Sequence, residues 1–256
     1  MGKAIAIFNQ KGGVGKTTTN INLAACLAMR GKRILVIDID PQGNTTSGLG
    51  IQKKTLEVTS YDLLVDDGIK AEDVIIPTGT KNLDIIPASV DLAGAEIELV
   101  KLGGREKRLK AALDRIKYDY DYIFIDCPPS LGLLTINALT AVDSVLIPIQ
   151  CEFYALEGVA QLMSTVDLVR RNLNPDLRIE GVILSMFDGR TNLSIQVVEE
   201  VKRYFGNKLY STVIPRNVRL AEAPSYGIPI TEYDPKSKGA KAYQAFAEEF
   251  LRSEVK

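Results

Sequence analysis

The sequence contains no histidine, and cysteine is scarce among its 256 residues. Without histidine, the chain excludes Ser-His-Asp and Cys-His catalysis and every metal site that needs an imidazole ligand. The cysteines are widely spaced and odd in number, namely Cys26, Cys127 and Cys151. They predict neither a disulfide framework nor a Cys-x-x-Cys site, and we expect them to be small buried residues in a reducing compartment.

Long apolar runs and an excess of one charge are missing as well. No segment reaches the roughly 18 consecutive apolar residues of a membrane span, and the first residues lack a signal-peptide pattern. We therefore expect a cytoplasmic protein. The 31 basic and 32 acidic residues give a net charge of −1, so bulk charge predicts no polyanion partner and only a local basic patch would favour one.

Short apolar runs alternate along the chain with longer segments of helical period. The runs predict strands at residues 4–8, 33–38, 83–87, 122–126, 144–149, 179–186 and 210–214. Helical periodicity covers residues 20–29, 91–101, 105–116, 133–141, 155–173 and 194–205. Strands that are apolar throughout are buried on both faces, so the pattern predicts an α/β fold with a doubly wound, mainly parallel sheet and helices on both faces. We expect one domain over residues 1–256, with the least regular pattern at residues 41–80.

The first predicted strand leads directly into residues 9–18, Asn-Gln-Lys-Gly-Gly-Val-Gly-Lys-Thr-Thr, and a helix follows. Glycines allow backbone N–H groups to turn toward phosphate oxygens, and the helix N-terminus adds the positive end of its dipole. Such a loop predicts that Lys16 reaches the β- and γ-phosphates and that the Thr17 hydroxyl ligates Mg²⁺. The stretch departs from the standard G-x-x-x-x-G-K-[ST] pattern, because Gln10 stands at the first glycine position with a second lysine, Lys11, beside it.

This loop resembles the deviant Walker A motif of the ParA/MinD ATPases, which have a P-loop NTPase fold. The resemblance implies ATP and Mg²⁺ as cofactors and a homodimer that forms with ATP, in which Lys11 reaches the nucleotide of the partner subunit. A triphosphate held between two subunits attracts positive charge from both, which explains in physical terms why the motif has a second lysine. The nucleotide-binding residues implied in the loop are Lys11, Gly12, Gly13, Val14, Gly15, Lys16, Thr17 and Thr18.

Three aspartates stand at the ends of predicted strands. Asp38 and Asp40 lie two residues apart, so they face the same side at the carboxyl end of their strand, where parallel sheets bind ligands. Asp126 ends an apolar run, which is the form of a Walker B strand and suits a water-bridged Mg²⁺ contact. The resemblance implies that Asp40 orients the attacking water and that Thr17, Asp38 and Asp126 lie where Mg²⁺ binds.

Phosphoryl transfer requires positioning and charge neutralisation rather than covalent catalysis, so the lack of histidine is no obstacle. The resemblance implies a Mg²⁺-dependent ATPase whose catalytic residues are Lys11, Lys16 and Asp40. The sequence shows no arginine-finger motif, and we therefore expect slow intrinsic hydrolysis that a partner protein stimulates.

Residues 214–225 resemble the chromosome-partitioning ParA branch, the Soj proteins. The same resemblance extends to residues 40–50, 154–158 and 188–191. In that branch the segment packs on the adenine and contributes to a DNA-binding face, which implies Pro215, Arg216 and Asn217 as further nucleotide contacts. Without the resemblance, the segment predicts a turn followed by a short surface helix, because Pro215 cannot donate a ladder hydrogen bond.

Basic residues concentrate in the same third of the chain. Residues 170–220 hold nine Lys/Arg and five Asp/Glu, a net charge of +4, while the remaining residues carry −5. Sequence-independent DNA binding relies on phosphate contacts, and a dimer doubles the patch. The candidate DNA contacts are Arg190, Lys202, Arg203, Arg216 and Arg219, with Lys236, Lys238 and Lys241 as additions.

The resemblance as a whole implies a DNA-partitioning ATPase associated with the nucleoid. Its ATP-bound dimer would bind double-stranded DNA without sequence specificity, and a ParB-like centromere-binding protein would stimulate hydrolysis and drive chromosome or plasmid segregation. An alternative is a MinD-like ATPase at the membrane, which needs a basic amphipathic C-terminal helix. Residues 243–256 hold three glutamates against two basic residues, so we expect no membrane partner. A nitrogenase-type iron–sulfur reductase needs cluster cysteines from two subunits, and only Cys127 stands near a suitable position.

Overall fold

The computed structural model describes residues 2–152 and 157–254. These residues form eight strands: β1 (Lys3–Ile7), β2 (Ile34–Asp38), β3 (Ile76–Pro77), β4 (Leu83–Ile86), β5 (Tyr122–Asp126), β6 (Ser144–Gln150), β7 (Arg178–Phe187) and β8 (Leu209–Pro215). All eight lie in one sheet in the order β3-β4-β2-β5-β1-β6-β7-β8. Every neighbouring pair is parallel except β3 and β4, which confirms the predicted fold class.

Helices cover both faces of this sheet. The described residues form α1 (Lys16–Ala28), α2 (Asn44–Gly48), α3 (Ser60–Val65), α4 (Ala71–Val74), α5 (Leu92–Leu99), α6 (Arg108–Ile116), α7 (Leu133–Ala141), α8 (Glu157–Asn172), α9 (Asn192–Phe205), α10 (Val218–Glu222), α11 (Ile230–Tyr233) and α12 (Lys238–Ser253). Helices α1, α11 and α12 pack on one face, and α3 to α9 pack on the other. Because both faces are covered, β2 and β5 are buried at every position.

The sequence pattern predicts the strands closely and the short elements poorly. All seven predicted strands are present, each within one residue at either end. Strand β3 is additional: it is two residues long and is defined by its antiparallel pairing with β4. The short helices α2, α3 and α4 lie in the same irregular region, where no segment is long enough to show a helical period. Of the predicted helix 155–173 and the Soj-like stretch 154–158, residues 154–156 lie outside the described residues.

The last helix, α12, completes the core on the α1 side. Tyr243, Phe246 and Phe250 are buried, and Phe250 contacts the rings of Tyr122 and Phe124 on β5. The apolar face of α12 therefore belongs to the core. Among the described residues, we find no helix with the length and apolar character that a membrane span requires. The three cysteines are free thiols and are buried, as predicted.

Candidate functional site

The phosphate loop leaves β1 at the centre of the sheet. From β1 the chain passes to β2 on one side, and later from β6 to β7 and β8 on the other. Open α/β sheets bind ligands at such a switch point, outside the carboxyl ends of the strands. Gly13 and Gly15 have φ angles of 74° and 90°, a left-handed conformation that glycine adopts most easily. Gly15 precedes α1 without a side-chain cap, so the N–H groups of the first helical turn are available to an anion.

Neighbouring segments hold this loop in place. Asn9 donates from Nδ2 to the carbonyl of Pro148 at 2.8 Å, and its Oδ1 accepts from the N–H of Lys11 at 3.0 Å. Ser185 of β7 donates from Oγ to the carbonyl of Val14 at 2.7 Å. No sequence motif indicates Ser185, because only the order of strands in the sheet brings β7 to the loop.

Lys16 is the first residue of α1 and is only 7 % exposed. Its Nζ donates to the carbonyl of Lys11 at 3.0 Å, so the ammonium group lies against the loop. Burial lowers the pKa of Lys16, while nearby acidic groups, chiefly Asp126, act to raise it. A buried ammonium without a counterion is costly in free energy, and a phosphate group bound in the loop would supply that counterion.

Asp38 and Asp126 end the neighbouring strands β2 and β5 in the same register, so their side chains lie next to each other. Both residues are fully buried. Burial raises the pKa of each carboxyl group, and the charge of Asp38 raises the pKa of Asp126 further. Two buried carboxylates in such proximity favour the binding of a nearby cation.

One oxygen of Asp126 is saturated by hydroxyl groups. Its Oδ2 accepts from Thr17 Oγ1 at 2.8 Å and from Thr45 Oγ1 at 2.7 Å. Its Oδ1 is buried and has no hydrogen-bond partner among the described residues. Thr17 is the predicted Mg²⁺ ligand, so the structure brings the phosphate loop into direct contact with the Walker B carboxylate.

The oxygens of Asp38 are occupied differently. Its Oδ2 accepts from the N–H and the hydroxyl of Thr46, at 2.8 and 2.7 Å, and its Oδ1 accepts from the N–H of Asp40 at 3.2 Å. Asp38 therefore uses both oxygens to hold the segment that follows β2, whereas Asp126 keeps one oxygen for another partner. Of the two predicted metal-side carboxylates, Asp126 has the geometry better suited to a cation.

A magnesium site here would not be a closed protein cage. Within residues 2–152 and 157–254, no group of three or more acidic or cysteine side chains is placed to hold a metal. Mg²⁺ usually takes one or two protein groups and completes its shell with water and substrate phosphates. The Thr17 hydroxyl and the unpartnered oxygen of Asp126 fit that donor set.

Asp40 lies on the loop that leads from β2 to α2. It is 8 % exposed, and its Oδ1 accepts from the N–H of Gln42 at 2.9 Å. Its charge is close enough to act on the pKa of Lys16. The structure thus brings two of the predicted catalytic residues, Asp40 and Lys16, to the same site.

Lys11 and Arg216 meet at a carboxylate that sequence analysis does not predict. Glu152, which follows β6, lies 3.5 Å from Lys11 Nζ through Oε2 and 3.7 Å from Arg216 Nη2 through Oε1. The Lys11 and Arg216 side chains are 38 % and 63 % exposed, so water screens both pairs. Lys11, predicted to reach the nucleotide of the partner subunit, and Arg216, predicted to lie near the base, therefore face one acidic group.

The segment after β8 lies at the same edge of the sheet as the phosphate loop. Pro215 ends β8 opposite Phe187 of β7, and the N–H of Arg216 donates to the carbonyl of Phe187 at 3.1 Å. Asn217 caps the N-terminus of α10, and its Oδ1 accepts from the N–H of Arg219 at 3.0 Å. The turn and short helix expected without any resemblance are both present, and the contacts with the base stay a prediction.

Known proteins similar to this chain indicate one family. A family profile described as an AAA domain matches residues 2–179. The chain is 66 % identical to the sporulation initiation inhibitor protein Soj of Bacillus subtilis, over 97 % of this chain and 98 % of that protein. It is 54 % identical to the chromosome partitioning protein ParA of Myxococcus xanthus, over 100 % of this chain and 90 % of that protein. The chain belongs to the ParA/MinD family of P-loop ATPases, in its Soj/ParA branch.

A solved structure shares the fold of this Soj/ParA chain. The chain is similar to cobyrinic acid a,c-diamide synthase from Mycobacterium smegmatis with a bound ATP analogue and magnesium, with a TM-score of 0.87 and 38 % identity. The match covers 100 % of this chain and 96 % of that one. Because its name differs from those of the partitioning relatives, this likeness supports the fold and leaves the reaction to other evidence.

The predicted DNA contacts of this Soj/ParA chain are all exposed. Arg190 donates to both oxygens of Asp188, at 2.8 and 2.6 Å, and holds the pKa of that carboxyl well below its usual range. Arg219 donates to Glu222 at 2.8 Å. Both guanidinium groups are therefore paired with carboxylates of the same chain. Arg216 lies between β8 and α10, and the other candidates lie on α9 and in or just before α12: Lys202, Arg203, Lys236, Lys238 and Lys241.

Proposed function

We propose that this chain is a Mg²⁺-dependent ATPase for chromosome or plasmid partitioning, built as one domain and acting in the cytoplasm on the nucleoid. The observation that carries the proposal is the contact between the phosphate loop and the Walker B carboxylate. There, Thr17 donates to Asp126 beside an oxygen that has no partner in the described part of the chain. The identity with two partitioning proteins, 66 % and 54 %, supports the biological role.

In this proposal, residues 11–18 bind the phosphates of ATP through backbone N–H groups, the N-terminus of α1 and the Lys16 ammonium. Thr17 and Asp126 would hold Mg²⁺ and its water ligands, with Asp38 beside them as a neighbouring negative charge. A bound Mg²⁺ would supply positive charge that neutralises the phosphates. Pro215 and Asn217, at the same edge of the sheet, contact the base, and Arg216 lies close by.

Asp40 and Lys16 perform the chemical work in this site. Asp40 accepts a hydrogen bond from the attacking water and orients it toward the terminal phosphate. Its burial and its hydrogen bond from Gln42 support this role, because they restrict the carboxylate to few orientations. Lys16 neutralises charge on the transferred phosphoryl group, so no covalent intermediate is required.

Lys11 acts across the dimer. Its ion pair with Glu152 is long, at 3.5 Å, and the lysine side chain is partly exposed. Both features support a side chain that exchanges this partner for a phosphate of the other subunit. ATP would then join two chains, with each Lys11 binding the nucleotide of its partner.

The ATP-bound dimer presents two basic patches to DNA. Phosphate contacts carry no sequence information, so base sequence has little effect on binding. Two patches on one rigid dimer raise affinity by ~10²-fold over one patch, because the second contact forms at high effective concentration. A ParB-like partner stimulates hydrolysis, which separates the patches and releases the DNA.

The test is a DNA-binding titration with ATP, ADP or no nucleotide, at low and high salt and on DNA of unrelated sequences. We expect tight binding with ATP only, a steep fall with salt because counterion release drives binding, and no sequence preference. Lys16→Ala serves as the control that loses the nucleotide effect. Equal affinity with ATP and ADP, or no salt dependence, would contradict the DNA role and leave the ATPase proposal standing.

The MinD-like alternative has less support. The helix nearest the C-terminus, α12, has its apolar face packed in the core through Tyr243, Phe246 and Phe250, so that face is not available to lipid. Pelleting with anionic vesicles in the presence of ATP tests this alternative. Sedimentation of the chain with the vesicles would favour it.

A further inference from the structure

Helix α2 follows the Asp40 loop and carries two buried threonines that bond the strand-end carboxylates. Thr45 donates to Asp126 Oδ2 at 2.7 Å, and Thr46 donates to Asp38 Oδ2 at 2.7 Å. Both threonines are fully buried. Neither belongs to the site residues predicted from the sequence, yet both touch residues that do.

The hydrogen bonds of the Thr45 hydroxyl determine which partner receives its proton. It accepts from Asn20 Nδ2 of α1 at 3.3 Å, so its own proton is left for Asp126. Thr17 donates to the same oxygen of Asp126, but Thr17 belongs to the phosphate loop and is the predicted metal ligand. Thr45 is therefore the hydroxyl that orients Asp126 from outside the nucleotide-binding loop.

We propose that Thr45 is a positioning residue for the metal side of the site. Its hydroxyl occupies Oδ2 of Asp126 and thereby reserves Oδ1 for Mg²⁺ or its water ligands, an inference that rests on the proposed function. A partial rotation of the carboxylate would break the bonds from both Thr17 and Thr45, so its plane is held with one oxygen directed at the two hydroxyls and the other away from them. The same bond ties the start of α2, and so the end of the Asp40 loop, to β5.

The test is to remove the hydroxyl while keeping the shape of the side chain, in Thr45→Val. The measured quantity is the Mg²⁺ concentration that gives half of the maximal rise in Tm with saturating ATP. Removal of a group that orients a metal ligand typically weakens metal affinity by about 10–100-fold, and we expect about tenfold here because Thr17 still donates to the same oxygen of Asp126. ATP affinity measured in EDTA should stay at the parental value, since the phosphate loop is untouched.

Two further comparisons separate orientation from packing. Thr45→Ser keeps the hydroxyl and should restore the parental Mg²⁺ requirement, whereas Thr45→Ala should behave like the valine variant. This serine–alanine pair keeps the test valid if Thr45→Val is too unstable to purify. Thr140→Val is the matched control, because Thr140 on α7 is buried and its hydroxyl has no partner among the described residues. It should show the parental Mg²⁺ requirement.

A parental Mg²⁺ requirement in both Thr45→Val and Thr45→Ala would overturn the inference. An equal shift in Thr45→Ser would overturn it too, because packing rather than the hydroxyl would then be responsible. If the unsubstituted chain gains no stability from Mg²⁺ and ATP, the proposed function itself fails and takes this inference with it. The two failures are therefore distinguishable in one data set.

Discussion

The strand-end carboxylates and the candidate DNA-binding arginines differ in the surroundings of their charged groups. Asp38 and Asp126 are fully buried, with hydroxyl and N–H donors at 2.7 to 3.2 Å. Arg190 and Arg219 lie in solvent, where water and salt screen their ion pairs with acidic neighbours. A buried charge has few acceptable arrangements because an unpaired one is costly, whereas an exposed guanidinium exchanges one anion for another at little cost.

This difference predicts how each region responds to substitution. Substitutions in the buried region should have large effects, and each should affect one functional step, since each group there has a particular partner. Substitutions of the surface arginines should each have a small effect on DNA affinity, and these effects should be additive, since phosphate contacts are separate and equivalent. Five substitutions, taken from the largest expected effect to the smallest, test this contrast.

Lys16→Ala should abolish ATP binding. The variant loses the main cation of the phosphate loop, and the remaining N–H groups are too weakly charged to replace it. Isothermal titration with ATP and Mg²⁺ measures the loss. Lys101→Ala, at an exposed lysine, is the control and should bind as the parent does. Near-parental affinity in Lys16→Ala would contradict the assignment of the loop.

Asp40→Ala should bind ATP and Mg²⁺ and accumulate as a dimer, while turnover falls by about 10²–10⁴-fold. The attacking water loses its partner while Lys16 and Thr17 are unchanged, and the lost hydrogen bond from the Gln42 N–H lies outside the phosphate loop. Phosphate release and light scattering measure the two properties on one sample. Unimpaired turnover would remove Asp40 from the mechanism.

Lys11→Ala should retain nucleotide binding by the monomer and fail to form the ATP dimer. Light scattering with ATP measures the dimer, and titration measures monomer binding. Glu152→Gln sharpens the result: it releases Lys11 from its ion pair, so the dimer should form at lower ATP concentration. A normal ATP dimer in Lys11→Ala would show that the cross-subunit role is wrong.

Gly227→Ala tests the packing of the segment after α10 against the end of α2. An added Cβ at Gly227 would lie 2.6 Å from the Cα of Gly50, just beyond α2, and Gly227 has a φ of 69°. Overpacking and the left-handed backbone should together lower the free energy of unfolding by about 2–4 kcal/mol. Urea unfolding measures the change. Gly79→Ala, where an added Cβ meets nothing within 4 Å, is the control. Equal stability of the two variants would disprove the contact.

Arg190→Ala should weaken DNA binding by the ATP dimer only a few-fold, by about threefold, and lower its salt dependence, because one phosphate contact per chain is lost. Asp188→Asn should strengthen binding by a similar small factor, since Asp188 occupies the Arg190 guanidinium in the free chain. Filter binding at low and high salt measures both. Weaker DNA binding in Arg190→Ala together with stronger DNA binding in Asp188→Asn would support a phosphate contact by Arg190. Equal weakening in both variants would show that the Arg190–Asp188 ion pair has only a structural role.

The strands and the phosphate loop are local features, and they are predictable for that reason. A buried strand such as Tyr122–Asp126 needs only its own apolar residues to be recognised, and the predicted and observed bounds are identical. Short elements such as Ile76–Pro77 lack any pattern of their own and exist because a neighbouring strand pairs with them. The motif residues Lys16, Thr17 and Asp126 are likewise visible in the sequence, although their roles stay predictions.

The sequence by itself determined which elements form and which charged residues end them, because periodicity and strand-end carboxylates are written in consecutive residues. Tertiary structure alone decided which side chains surround those residues. Thr45 and Asp126 are 81 positions apart, and Ser185 lies 171 positions from Val14, yet each pair is joined by a hydrogen bond of 2.7 Å. Such contacts depend on strand order and on the path of α2, and a buried acceptor selects whichever donor the packed sheet places beside it.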